Sequence, residues 1–207
     1  MALTASARKL LFTAHLVSSL GWVGALAVFL AHGLVSLWTA DHRVVQALSI
    51  AMAATAWLVI LPLSVASFIT GSLQALTTAW GLLRHYWVVF KLALTMLATG
   101  VLLMKLGPIS MLGEQALVSN AAEVSSELRL SLAVHAAAGL VVLLAATLLA
   151  VYKPRGLTRI GGRREGREVG PAPTWVRISS GVALAFAVAL IFMVALGSHG
   201  PGMHVRH

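Results

Sequence analysis

The sequence predicts an all-α fold. It reads as a polytopic transmembrane helix bundle, a four-helix core plus a fifth C-terminal span, with the N-terminus inside and the C-terminus outside. Three observations predict it. The chain of 207 residues is 59% hydrophobic and only 10% charged, with mean hydropathy +0.91, a composition outside the soluble range. Its apolar residues gather into five stretches, each close to or above the ~20 residues needed to cross a hydrocarbon core. Its lysines and arginines crowd into alternate connections, as a positive-inside topology requires.

The first span reads Leu10–Trp38. Its apolar run is far longer than the ~7–15 residues of a signal-peptide core, so it reads as a retained helix. The second reads Val44–Thr70, where Pro62 predicts a kink because it lacks one backbone donor. The third and fourth read His85–Leu106 and Leu130–Tyr152, and Asn120 with Glu123 suggests a capping box ahead of the fourth. These four make a transmembrane bundle over residues 1–156. Residues 157–175 are rich in Gly, Pro and Arg and read as a flexible basic cytoplasmic linker. Residues 176–207 hold the fifth span, Val176–Gly197, and a short external tail.

The connections orient the bundle. Arg8 and Lys9 precede span one, Arg84 lies in the second connection, and Lys153, Arg155, Arg159, Arg163, Arg164 and Arg167 fill the fourth. The first and third carry Arg43, Lys105 and Arg129 together with Asp41, Glu114, Glu123 and Glu127. The N-terminus is therefore expected in the cytoplasm and the C-terminus outside. The formal charge of +9 reports topology rather than nucleic-acid binding. The absence of cysteine removes disulfides, thiolate metal sites and cysteine nucleophiles. Trp38, Trp80, Trp87 and Trp175 fall at predicted interfaces, whereas Trp22 and Trp57 fall near mid-span and need protein or a ligand to pack against.

Chemistry concentrates in a few intramembrane groups, where an ionisable side chain is a candidate functional site. His15 shares a helix stripe with Ser18 and Trp22, in the run HLVSSLGWVG. Lys91 lies in the same leaflet on span three and shares a face with Arg84, with His85 at the same end. An imidazole, an ammonium and a guanidinium together suit an anionic planar guest. In the other leaflet, His32 and His135 sit at similar depth on spans one and four, the arrangement by which two helices hold one b-type haem. A second pair, His15 with His85, would complete a transmembrane electron path. His15 and His32 are seventeen residues apart, so their faces differ by about 100° and one haem fits better than two. Plainer readings exist for each: a histidine as a helix–helix hydrogen-bond donor, Lys91 snorkelling to the interface, His85 as an interfacial anchor. Met96, Met104, Met111, Met193 and Met203, with His199, His204 and His207 in the tail, form a loose set of copper donors.

The runs HLVSSLGWVG and HYWVVFKLALTMLATGVLL resemble the paired signature of a membrane superfamily that includes the copper-resistance D (CopD) proteins and the HemJ-type protoporphyrinogen oxidases. Leu10–Gly156 also resembles an uncharacterised group of bacterial integral membrane proteins, most distinctively in RHYWVVFK and VYKPRGLT. The resemblance implies a haem or metal ligand at His15 and a catalytic or propionate-binding lysine at Lys91. Together these readings predict an integral membrane haem-binding redox protein, of porphyrinogen-oxidase type in its enzymatic version. Haem b would be held by His15 and His135 as metal ligands, with Trp22, His32, Arg84, His85 and Lys91 around the cofactor. Its partners would be the bilayer, a porphyrin or electron carrier, and further copies or subunits docked through the fifth helix. The alternatives are a copper-handling permease-like protein and a non-catalytic membrane assembly subunit.

Overall fold

The structure is a computed structural model that describes residues 3–78, 80–118, 124–166 and 170–182, with 185 and 188. The chain divides into two compact units, Met1–Arg167 and Glu168–His207.

The first unit is helical throughout its long elements. Helix α1 spans Ala5–Trp38, and Thr4 caps it by accepting from the backbone N–H of Ala7 at 3.2 Å. Helix α2, His42–Thr55, is capped by Asp41. It runs through a π-helical turn, Ala56–Ile60, into α3, Leu61–Thr77. Pro62 sits in the first turn of α3. Its ring crowds the carbonyl four residues back, and the wider π turn takes up that crowding. Helix α4 covers Tyr86–Val118, α5 covers Ser126–Tyr152, and the short α6 covers Arg159–Glu165.

Four of these rods, Ala5–Trp38, His42–Thr77, Tyr86–Val118 and Ser126–Tyr152, are long and apolar enough to cross a membrane. Their outward faces are apolar along the whole length: Val17, Leu58, Leu103, Val141 and Leu148 are all exposed. A soluble monomer rarely leaves so large an apolar surface open, and a bilayer removes it from water. The core is a thin central column of Trp22, Phe29, Met52, Ile60, Leu112, Leu132 and Leu143.

Successive rods run antiparallel. At one end, hereafter the basal end, lie the starts of α1 and α4 and the ends of α3 and α5. At the far end α1 and α5 close tightly: a Cβ on Gly33 would lie 3.3 Å from the Cβ of Ala133, and Arg129 donates to the carbonyl of Ser36.

Three elements differ from the sequence reading. The third span does not stop near Leu106 but continues through Pro108 to Val118. Leu106, Ile109, Leu112, Gly113 and Ala116 form one buried stripe, and a Cβ on Gly113 would lie 2.8 Å from that of Ala53. Packing against α2 thus carries the helix past the hydrogen bond lost at Pro108. Helix α5 starts at Ser126 with Ser125 as its cap, accepting from the N–H of Leu128 at 3.2 Å; Asn120 and Glu123 lie outside the described residues. The stretch from Leu157, expected as the start of a flexible linker, is tied down as far as α6. His85 and Leu157 form an antiparallel bridge, and Thr158 donates its N–H to the carbonyl of Arg84 at 2.9 Å. Thr158 also caps α6 by accepting from the N–H of Gly161. A Cβ on Gly161 would overlap the carbonyl oxygen of Arg84, so only glycine allows this approach.

In the second unit, residues 174–182 are helical, with Val176 donating to the carbonyl of Pro173. The remainder of the expected fifth span, apart from residues 185 and 188, lies outside the described residues, as does the tail with Met193, His199, Met203, His204 and His207.

Candidate functional site

At the basal end α1, α3, α4 and α5 part around a cavity of about 460 Å³. His15 of α1 meets Lys91 of α4 there: the Nζ of Lys91 lies 3.0 Å from Nε2 of His15. On the other side of the ring, Nδ1 of His15 lies 3.2 Å from Oγ1 of Thr70 on α3. The Thr70 hydroxyl donates to the carbonyl of Ala66 at 2.6 Å, so towards His15 it accepts. The chain of donors then has one direction. Lys91 donates to Nε2, Nδ1–H donates to Thr70, and Thr70 donates to the backbone. The imidazole is held by both nitrogens. An ammonium carries three N–H groups, so two of those on Lys91 remain for a guest.

The sequence places these groups together for local reasons. The Ser19 hydroxyl donates to the carbonyl of His15 at 2.6 Å and receives the Ser67 hydroxyl at 2.9 Å, tying α1 to α3 beside the imidazole. A Cβ on Gly71 would lie 2.7 Å from Cε1 of His15, so the ring rests directly on the α3 backbone. Ser67, Gly71, Gln74 and Thr78 line the cavity from α3, a polar stripe at i, i+4, i+7 and i+11.

Aromatic groups form the rest of the wall. Trp22 is almost fully buried and Trp87 nearly so. Trp87 packs edge-on to Trp80, with ring centroids 5.4 Å apart. The indole nitrogen of Trp87 is buried with no hydrogen-bond partner, although Trp87 lines the cavity. A buried donor left alone costs about 1–3 kcal/mol. Lys153, after the end of α5, also lines the cavity and holds its ammonium 5.5 Å over the Trp80 ring.

The other expected groups stand elsewhere. His85 donates Nδ1–H to the carbonyl of Trp80 at 2.9 Å and packs edge-on to that ring; it is not part of the cavity wall. Arg84 folds over Gly81, where a Cβ would lie 2.7 Å from its Cδ, and it too is outside the wall. At the far end, His135 is buried and donates Nδ1–H to the carbonyl of Ser131 at 2.7 Å, leaving Nε2 without a partner. His135 lies two positions from Ala133, about 200° round the helix. It therefore does not face the seam where Ala133 meets Gly33 of α1; Lys105 of α4 is its charged neighbour. Nδ1 of His32 is buried without a partner as well. Trp57 is partly exposed and donates to the hydroxyl of Ser110 at 2.9 Å. Met96, Met104 and Met111 face outward, and among the described residues no three His, Cys, Asp or Glu side chains cluster as a metal site.

Thr70, Gly71, Trp87 and Lys153 are site residues that the sequence reading did not single out. The signal for α3 was present as the polar stripe within an apolar span. Comparison with family models, curated proteins and solved structures finds no match to this chain.

Proposed function

We propose that the chain is an integral membrane redox protein of the bacterial inner membrane that binds a tetrapyrrole, haem b or a porphyrinogen, in the basal cavity on the cytoplasmic side. The observation that carries this reading is the contact of Lys91 with His15 at a cavity of about 460 Å³ walled by tryptophans. Indole faces suit a flat apolar ring. Lys91 and Lys153 suit its carboxylates.

Haem, if it is the guest, supplies one-electron redox chemistry, with His15 the residue that would hold its iron through Nε2. Lys91 occupies that nitrogen, so iron binding requires Lys91 to turn to a carboxylate of the guest. With a metal-free porphyrinogen no such exchange is needed. Lys91 then binds a carboxylate, and His15 steadies it while Thr70 fixes the imidazole. The cluster among Ser19, Ser67 and Thr70 keeps both residues oriented and leaves no imidazole nitrogen for water.

The test is a visible spectrum of detergent-purified protein, oxidised and dithionite-reduced, with a pyridine haemochrome assay after expression with ample haem. Sharpened α and β bands on reduction are expected for haem. For the porphyrinogen version, rescue of a strain lacking protoporphyrinogen oxidation is expected from the wild type and not from Lys91→Met. A featureless spectrum together with failed rescue by well-expressed protein overturns the reading.

A further inference from the structure

We propose that Lys153 is a second anion-binding group of the cavity, set at its mouth to receive an acidic group of the guest; the guest's identity rests on the tetrapyrrole reading, its charge does not. Three observations converge on this residue. First, Lys153 and Trp80 line the same cavity, and the ammonium stands over the indole face at 5.5 Å from its centroid. A cation–π contact at a partly exposed site is weak and yields readily to a carboxylate, whose hydrogen bonds with an ammonium are charge-assisted.

Second, the backbone at Lys153 is in the left-handed region, with φ 43° and ψ 58°. Among the described residues it is the one non-glycine at positive φ. Helix ends of this shape usually take glycine, and a residue before proline is pushed towards extended conformations; Pro154 follows directly. The chain accepts an unfavourable conformation here to carry a long cationic side chain where glycine fits better. Strain kept at one position of this kind points to function. Third, the turn is anchored: the N–H of Lys153 donates to the carbonyl of Leu149 at 3.1 Å.

Lys91 lies five residues into α4, whereas Lys153 lies just beyond α5 at the same end. The two ammoniums thus stand at different depths. A guest with an apolar body and an acidic edge enters with that edge towards the basal end, because the reverse orientation leaves Lys153 facing apolar atoms.

The experiment uses the full chain in detergent, with quenching of tryptophan fluorescence as the binding signal. Two probe pairs are titrated: protoporphyrin IX against its dimethyl ester, and a pyrene-labelled fatty acid against its methyl ester. Wild type is expected to favour each acid through both lysines, with about tenfold of the preference due to Lys153, the size of one charge-assisted hydrogen bond. Lys153→Met is expected to cut that preference about tenfold, down to the share carried by Lys91, while leaving ester binding unchanged. Lys153→Gly is expected to lose the same tenfold share and yet melt about 2–4 °C higher, since it also relieves the backbone. A purely structural lysine would not separate binding from stability in this way. If only the fatty-acid pair shows the Lys153-dependent preference, the tetrapyrrole reading falls and the role of Lys153 stands. If Lys153→Met keeps the wild-type preference for both pairs, or wild type shows none, the proposal is overturned.

Discussion

The two ends of the bundle hold the same pair of residue types in opposite settings. At the basal end His15 touches Lys91 and both ring nitrogens are engaged, beside an open cavity. At the far end His135 has Lys105 as its charged neighbour, one ring nitrogen is left alone, and the helices close on each other through Gly33, Ala133 and the fully buried Met52. Residue type therefore does not make a site. What separates the two ends is room: a satisfied polar cluster facing a void can bind, and a histidine buried between closely packed helices packs.

Four comparisons break or sharpen this contrast. The largest effect is expected from Lys91→Met, which removes the deep cation and leaves Nε2 of His15 without its donor. Affinity for protoporphyrin IX should fall about 100-fold, in the range for losing one buried charged partner, whereas Lys105→Met should change it less than about threefold. Fluorescence titration decides, and equal losses would erase the distinction between the ends. Next, Gly33→Val overpacks the far seam, where a Cβ already meets Ala133 at 3.3 Å and Met52 at 3.6 Å. It should destabilise by about 1–3 kcal/mol in thermal unfolding while the folded fraction binds normally. Loss of affinity in that fraction would show the ends to be coupled.

A smaller and more local effect is expected at Gly71→Ala, whose Cβ would lie 2.7 Å from Cε1 of His15. The ring must shift from its place beside Lys91 and Thr70, so affinity should drop about tenfold, since sub-ångström misplacement is felt in such sites, with little change in melting temperature. Unchanged affinity would mean that the His15–Lys91 contact does not organise the cavity. Smallest, Ser125→Ala removes the cap that accepts from Leu128 and should cost about 1 kcal/mol without touching binding. It serves as the stability control for the other three.

Much of the bundle was legible because its signal is coarse. Four apolar rods and the shared depth of His15 and Lys91 follow from hydropathy and the rise per residue alone. Finer features were not, for physical reasons. The end of α4 was misplaced because hydropathy falls near Leu106, whereas the helix is carried on by the stripe from Ile109 to Ala116 against α2. Thr70 and Gly71 look like ordinary small residues in an apolar span until α3 is laid beside His15. Lys153 reads as one more topology-setting charge, since no linear pattern reveals its left-handed turn or the Trp80 ring beneath it. His32 and His135 share a depth but not a seam, because depth is set by counting residues and facing is set by how the helices rotate in packing.

The most direct test of the central claim is the tetrapyrrole content of three purified proteins, wild type, His15→Ala and His135→Ala, extracted and quantified by chromatography. The account predicts that His15→Ala loses the bound pigment while His135→Ala keeps it at the wild-type ratio. Pigment retained in His15→Ala and lost in His135→Ala would place the site at the far end and contradict the account.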